Sequence, residues 1–376
     1  MLQRGFTGIF GNVYIASRQV LLGAVSLGGE RMAATIKDVA KAAKVSVATV
    51  SRALNGHASV SAEARKRILD AARKLRYVPH SAARSLITRR TQTIGVLLPD
   101  LHGEFFSELI RGIDQAARRE GFHILVSSSH GDAKEAAAAI QTMSGRVDGL
   151  LIMSPHIDAR LLKDTLPAGL PVVLMNTPVD DIGYDAIAID NYWGAYAIVS
   201  HLVGRGYRSI ALISGPERNH DAEERARGYH EALRERLPEA TPRVIAGNFS
   251  EDSGYRAGQR VLTLRERPDA IFAANDMMAI GCLFALTEAG VRVPQDIGIA
   301  GFDDIPISRF VTPPLTTVRV RIADFGQQAL ERLVAAFDPG LHVQTSVQTL
   351  RAELVVRSSC ERPGSTALRL AARPSG

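Results

Sequence analysis

Residues 46–55, SVATVSRALN, hold the side chains with the most specific chemistry in this 376-residue chain. Arg52 carries a planar fork of donors that can pair with O6 and N7 of a guanine, a contact worth about 1–3 kcal/mol of base discrimination. Val47 and Ala48 offer only apolar atoms, which suit thymine methyl groups. Thr49, Ser51 and Asn55 bring the short hydroxyls and amide that hold phosphate oxygens, positioning a protein on a duplex without reading its sequence. These groups work together only from one face of a helix that enters the major groove.

The flanking residues supply that helix and its support. Thr35 can cap a first helix, Asp38 suits its first turn, and Ile36, Val39, Ala40 and Ala43 recur at helical spacing. Lys44-Val45 forms a short break. Ser46 caps a second helix whose apolar side carries Val47, Val50 and Leu54, and Asn55-Gly56 ends it. Two short helices joined by a tight turn make a helix-turn-helix. A third amphipathic helix, SAEARKRILDAARKL, puts Ile68, Leu69, Ala72 and Leu75 on one face and Arg65, Lys66, Arg67 and Arg73 outside.

Charge is divided along the same line. Residues 1–90 hold 16 Lys/Arg against 4 Asp/Glu, while the rest hold 29 against 35, so the overall +6 is a basic head on an acidic body. A polyanion is expected at one end only. The two cysteines, Cys282 and Cys360, show neither metal spacing nor a disulfide framework, which fits a reducing cytoplasm. No apolar run reaches about 18 residues, so no membrane helix is expected. Met32-Ala33-Ala34-Thr35 reads like a natural start, and residues 1–32 are expected to be a disordered arm or an over-extended reading of the gene.

From Thr93 onward short apolar runs alternate with helical segments. TIGVLLPD, FHILVSSS, DGLLIMSP, PVVLMN and DAIAIDN form one series; RSIALISGP, RVIAGNF, DAIFAAND and DIGIAGFDD form another. The alternation predicts parallel sheets with helices on both faces, in two lobes that divide near Asn191-Tyr192. Ligands in such sheets bind beyond the carboxyl ends of the strands. No G-x-S-x-G, Walker loop, dinucleotide fingerprint or His/Cys cluster is present, so neither enzyme nor cofactor is expected.

TIKDVAKAAKVSVATVSRALNG, YVPHSAARSL, IDNYWGA, PDAIFAANDMMAIG, VPQDIGIAGFDD and LTTVRV, in that order, closely resemble the lactose-repressor/galactose-repressor (LacI/GalR) family, from Thr35 to about Ser359. The resemblance implies a transcriptional repressor of carbohydrate genes, dimeric on a palindromic operator and controlled by a sugar-like effector, with a purine or other metabolite as the alternative effector. A periplasmic sugar-binding protein is the rival reading of the body, which the basic helix-turn-helix argues against. It implies a DNA-binding domain at 33–79, a hinge helix and linker at 80–92, a two-lobed periplasmic-binding-protein-like body at 93–360 and a disordered tail at 361–376. Within the hinge, Leu86 matches the leucine that wedges into a base step, supported by Ala83 and Arg84. In the body, Phe105 and Phe106 match an effector-stacking pair, although Gly103-Glu104 stands where the family has Asn-Pro. Asn176, Arg225 and Asp276 match effector-binding positions, and Asp303 is a further candidate. Asp190 and Trp193 fit hinge or pocket roles.

Overall fold

The computed structural model describes residues 34–54, 59–77, 90–156, 164–177, 183–338 and 346–361. Asn55, Ala83, Arg84, Leu86, the extension at 1–32, the hinge helix and the tail beyond Glu361 lie outside the described residues. The chain divides into two units, Met1–His80 and Ser81–Gly376.

The first unit contains α1 (Ile36–Ala43), α2 (Val47–Leu54) and α3 (Ala62–Lys74). Thr35 and Asp38 form a reciprocal capping box: the Asp38 carboxylate takes the Thr35 N–H at 2.8 Å, and the Thr35 hydroxyl accepts from the Asp38 N–H. Lys44, at φ 56, ends α1 in the left-handed conformation, and the Ser46 hydroxyl then accepts the Thr49 N–H at 3.1 Å to start α2. Val39, Ala40, Ala43, Val50, Ala53, Ile68, Ala71 and Ala72 form the core. Two expectations shift. Val47 is 41% exposed and faces away from that core, and Leu69 and Leu75 are exposed where Ala71 is buried. Residues 68, 71 and 72 make the true stripe of α3, and position 69 lies about 100° around the helix from it.

The second unit is the α/β body that the alternation predicts. Its first lobe carries β1 (Thr93–Leu98), α4 (Glu104–Arg119), β2 (His123–Ser128), α5 (Ala133–Met143), β3 (Gly149–Met153), β4 (Val172–Met175) and β5 (Asp185–Ile189). Its second lobe carries α6 (Asn191–Gly204), β6 (Ile210–Ile213), α7 (His220–Arg236), β7 (Arg243–Ile245), α8 (Glu251–Thr263), β8 (Ala270–Ala273), α9 (Asp276–Glu288) and β9 (Gly298–Ala300). The chain then runs through β10 (Thr317–Arg319), α10 (Ile322–Ala335), β11 (Val347–Leu350) and β12 (Glu353–Val355). Pairing is parallel within both sheets, in the orders β11-β5-β4-β3-β1-β2 and β7-β6-β8-β9.

Strands β1, β3, β4, β6, β8 and β9 read as continuous apolar runs because both faces are covered, whereas the outer strands β2 and β7, apolar by sequence, are only partly buried. In β1, Ile94, Val96 and Leu98 join one core, while Leu97 turns to another with Ile140 and Met143 of α5. Helices α4 and α10 pack closely, and a Cβ at Gly112 would sit 2.0 Å from the Ala323 carbonyl oxygen, so only glycine fits there. The chain passes between lobes at Asp190, again through β10, and finally through β12, which pairs antiparallel with β10. Ser359 pins the last passage, donating to the Ile299 carbonyl at 2.6 Å and accepting the Thr316 N–H at 2.8 Å. No helix among the described residues is long and apolar enough to cross a membrane.

Candidate functional site

Two sites can be assembled, one in each unit. In the first, Ser46, Val47, Ala48 and Arg52 lie exposed on or beside α2, with Thr49 and Ser51 half-buried along its flanks. The buried face of α2, Val50 and Ala53, fixes the helix against α1 and α3, and Arg65 donates to the Ala53 carbonyl at 2.9 Å, satisfying its last turn. Thr35 is exposed, but its hydroxyl already serves Asp38. Among the described residues this face therefore presents the Arg52 guanidinium flanked by small apolar side chains.

In the body, a cavity of about 470 Å³ opens between the lobes at the carboxyl ends of their strands. Phe105 and Phe106 line it from the first lobe, their rings edge-on with centroids 5.4 Å apart. Arg225, rising from α7, and Asp303, just after β9, line it from the second. The guanidinium of Arg225 is held on every side: Nε donates to Asn191 Oδ1 at 2.8 Å, Nη1 to the Ala274 carbonyl, and Nη2 lies 3.1 Å from Asp303 Oδ1. It also stacks 3.8 Å above the Phe302 ring, which Gly194 admits because a Cβ there would stand 2.7 Å from that ring. Burial pushes the Asp303 carboxyl up to about 6 against the pull of Arg225, and Oδ1 is left without an aligned hydrogen bond.

Two expected residues stand elsewhere. Asp276 is wholly buried behind the cavity wall: Oδ1 accepts from the Thr317 hydroxyl at 2.6 Å and Oδ2 from the Ile305 N–H at 3.0 Å. Burial, then the charge of Asp303, raises its carboxyl well above the usual range. Its neighbour Asn275 lines the cavity instead, capping α9 through the Met278 N–H. Asn176 is likewise turned from the cavity. Its Oδ1 accepts the Ile189 N–H at 2.8 Å and its Nδ2 donates across the lobes to Asp221 Oδ2 at 3.2 Å. Asp221, unforeseen in the sequence, does line the cavity, as do His102, His130, His156, Asn219, Asn248 and Phe249. They lie in the loops and helix starts two to eight residues beyond strand ends, the signal that could have found them.

Further contacts bridge the lobes at the cavity. The His220 N–H donates to the Pro155 carbonyl at 3.2 Å, His156 Nδ1 lies 3.2 Å from the Arg218 carbonyl, and His102 Nε2 lies 3.4 Å from Glu251 Oε2. Asp190 caps α6 through the Trp193 N–H, and the Trp193 ring stacks on Tyr196 outside the cavity lining.

Residues 35–80 match the family described as bacterial regulatory proteins, lacI family, and residues 199–360 match a periplasmic binding protein-like domain. The chain is 35% identical to the ribose operon repressor of Haemophilus influenzae over 80% of its own length and 91% of the relative's. This chain belongs to the lacI family. Among its lacI-family relatives, the transcriptional repressor CytR of Escherichia coli is 35% identical over 88% of this chain and 97% of the relative. The crystal structure of the Lac repressor dimer bound to operator and the anti-inducer ONPF superposes with a TM-score of 0.78 at 30% identity, covering 88% of this chain and 99% of that one.

Proposed function

We propose that this lacI-family protein is a DNA-binding repressor of carbohydrate-utilisation genes, acting in the cytoplasm as a dimer on a palindromic operator. Its hold on that operator is set by a small sugar-like effector between the lobes. The carrying observation is the joint presence of the exposed Val47–Ala48–Arg52 face and a cleft whose polar groups bridge two lobes. Val47, Ala48 and Arg52 read base edges; Thr35, Ser46, Thr49, Ser51 and Asn55 meet phosphates; Ala83, Arg84 and Leu86 act in the minor groove. Phe105, Phe106, Arg225 and Asp303 hold the effector, while Asn176 and Asp276 support the cleft from behind.

Coupling follows from linkage. An effector that bridges the lobes favours their closed arrangement, and the chain passes between them at three places, so closure changes how two hinge segments are presented to DNA. A purine or other planar metabolite is the second reading, favoured by the three phenylalanines lining the cleft, Phe105, Phe106 and Phe249.

Selection of bound duplexes from a randomised pool, then anisotropy titration of the selected operator with and without sugars and purines, tests the proposal. A palindromic consensus whose affinity shifts at least about tenfold with one ligand is expected. A protein that selects no sequence would sink it.

A further inference from the structure

We propose that the effector of this cleft is uncharged, a glycoside or nucleoside with free hydroxyls, and that sugar phosphates and nucleotides are rejected. The proposal rests on the cleft being the effector site.

The first argument is the fate of the places where a phosphate would bind. Four helices point their amino ends at the cavity, since their capping residues Gly103, Asn219, Ser250 and Asn275 all line it. A helix amino end binds anions because its first N–H groups are unpaired and its dipole is positive there. Here each first turn already holds a carboxylate: Glu104 in α4, Asp221 in α7, Glu251 in α8 and Asp276 in α9. Three of the four caps also spend their side chains on those N–H groups, Asn219 on Ala222, Ser250 on Ser253 and Asn275 on Met278. The anion sites of this cleft are occupied by the protein itself.

The charge of the lining is the second argument. Among the described lining residues, Asp100, Asp221 and Asp303 stand with one arginine, Arg225, whose side chain is only 5% exposed and whose three nitrogens are all engaged by Asn191, Ala274 and Asp303. Asp221 spends both oxygens on the amides of Asn176 and Asn191. The three histidines lining the cavity are engaged too, His102 by Glu251, His156 by Asn219 and His130 by the Ser128 hydroxyl at 3.5 Å. Among the described residues no lysine lines the cavity, and no arginine besides Arg225 does. What the lining adds is the Asp303 carboxylate, whose Oδ1 meets Arg225 Nη2 at 3.1 Å without an aligned hydrogen bond, in a cavity also lined by Phe105, Phe106 and Phe249. An acceptor next to apolar rings suits a ligand that offers a hydroxyl and a flat or apolar face, and it repels a phosphate oxygen at close range.

Calorimetric titration of the full chain with matched pairs tests this: cytidine and its 5′-monophosphate, adenosine and its 5′-monophosphate, D-ribose and ribose 5-phosphate, D-glucose and glucose 6-phosphate. At least one neutral member is expected to bind, with its phosphate ester about 30-fold weaker or worse. Asp100→Asn and Asp303→Asn should each narrow that gap, the first lying at the exposed rim where folding is not at stake. A phosphate ester that binds as tightly as its neutral partner, or a panel in which no neutral member binds, overturns the proposal. A neutral ligand that binds but leaves operator affinity unchanged would count against the regulatory reading and leave the charge rule standing.

Discussion

Asp303 and Asp304 are adjacent in the chain and serve opposite sides of the lobe crossover. Asp303 faces the cavity beside Arg225, whereas Asp304 accepts from Arg319 Nε at 2.6 Å and from Arg357 Nη2 at 2.5 Å. Both backbones are left-handed, at φ 107 and 54, which for non-glycine residues is sustained only by surrounding bonds. Those bonds are present: the Asp303 N–H donates to the Val318 carbonyl at 2.8 Å and the Val320 N–H to the Asp303 carbonyl at 3.2 Å. Arg319 belongs to β10 and Arg357 follows β12, so one rigid corner joins the ligand-facing acceptor to two of the passages between lobes. A ligand that pulls on Asp303 pulls on the crossover.

Asp303→Asn should separate affinity from stability. Because burial raises the folded carboxyl from 3.8 to about 6, its contribution to stability is complete below about pH 4 and is lost as pH rises through 6. That loss is on the order of 3 kcal/mol. The variant should therefore flatten the pH 4–6 limb of urea-melt stability without losing stability at pH 7, while ligand affinity falls roughly 10–100-fold. A wild-type pH slope that survives in the variant would refute the assignment.

Asp304→Asn should do the reverse. Burial works to raise this carboxyl, but Arg357 and Arg319 outweigh it and hold it below the ordinary range. The stability it supplies is present above the unfolded value and is lost as pH falls through the folded one. Removing the charge should cost about 1–3 kcal/mol at pH 7, discounted because Arg319 is 41% exposed. Ligand affinity should stay within about threefold, with the response of operator binding to ligand reduced. Paired calorimetry and anisotropy titrations check this, and a variant with intact coupling would rule out transmission through Asp304.

For Asp276 the expectation is structural. Asp276→Ala strands the Ile305 N–H and the Thr317 hydroxyl and should destabilise the body by about 2–4 kcal/mol, whereas Asp276→Asn, with a hydroxyl that can turn to accept, should cost less. Ligand affinity per folded molecule should be unchanged in the Asn variant. A calorimetric loss of tenfold or more at full folding would return Asp276 to the binding site.

The difference between Asp276 and Asn275 marks where sequence reasoning stops. Both sit at a strand end, in AAND, and the pattern of apolar runs closed by polar residues located that end correctly. Which of two adjacent side chains faces the cavity depends on the geometry of the helix cap, which gives Asn275 the capping position and turns Asp276 under Gly301, where a Cβ would stand 2.1 Å from its Oδ1. Asn176 and Asp221 are 45 positions apart and meet only because two lobes close on one another. Periodicity reports what an element buries, not what its ends touch. The same limit explains Val47, apolar by type yet exposed, since a groove-facing methyl looks like a core methyl on a helical wheel.

Phe310 and Phe284 are 72% and 59% exposed, and Ile307, three residues before Phe310, is 39% exposed. In a dimer such side chains bury against a second copy. Phe310→Glu should shift sedimentation toward monomer and weaken operator binding by two orders of magnitude or more, because two half-sites are then engaged independently. A stable dimer of the variant would move the interface elsewhere.

Arg52 and Arg65 offer the sharpest comparison in the DNA-binding unit, being two arginines on adjacent helices with different work. Arg52 is exposed and free to reach a base edge, whereas Arg65 donates to the Ala53 carbonyl and holds the end of α2. Arg52→Ala should leave the melting temperature within about 1 °C, since surface truncations seldom exceed 0.5 kcal/mol, and should relax base preference at one position of each half-site by about 1–3 kcal/mol. Arg65→Ala should lower stability by about 1 kcal/mol and weaken binding to all duplexes alike, because it loosens the helix that carries the reading face. Selection from randomised operators distinguishes them: a consensus that loses information at one position follows from a lost base contact, and one that weakens evenly follows from a lost support. If Arg52→Ala leaves the consensus intact, base reading must be reassigned to Val47 and Ala48 alone.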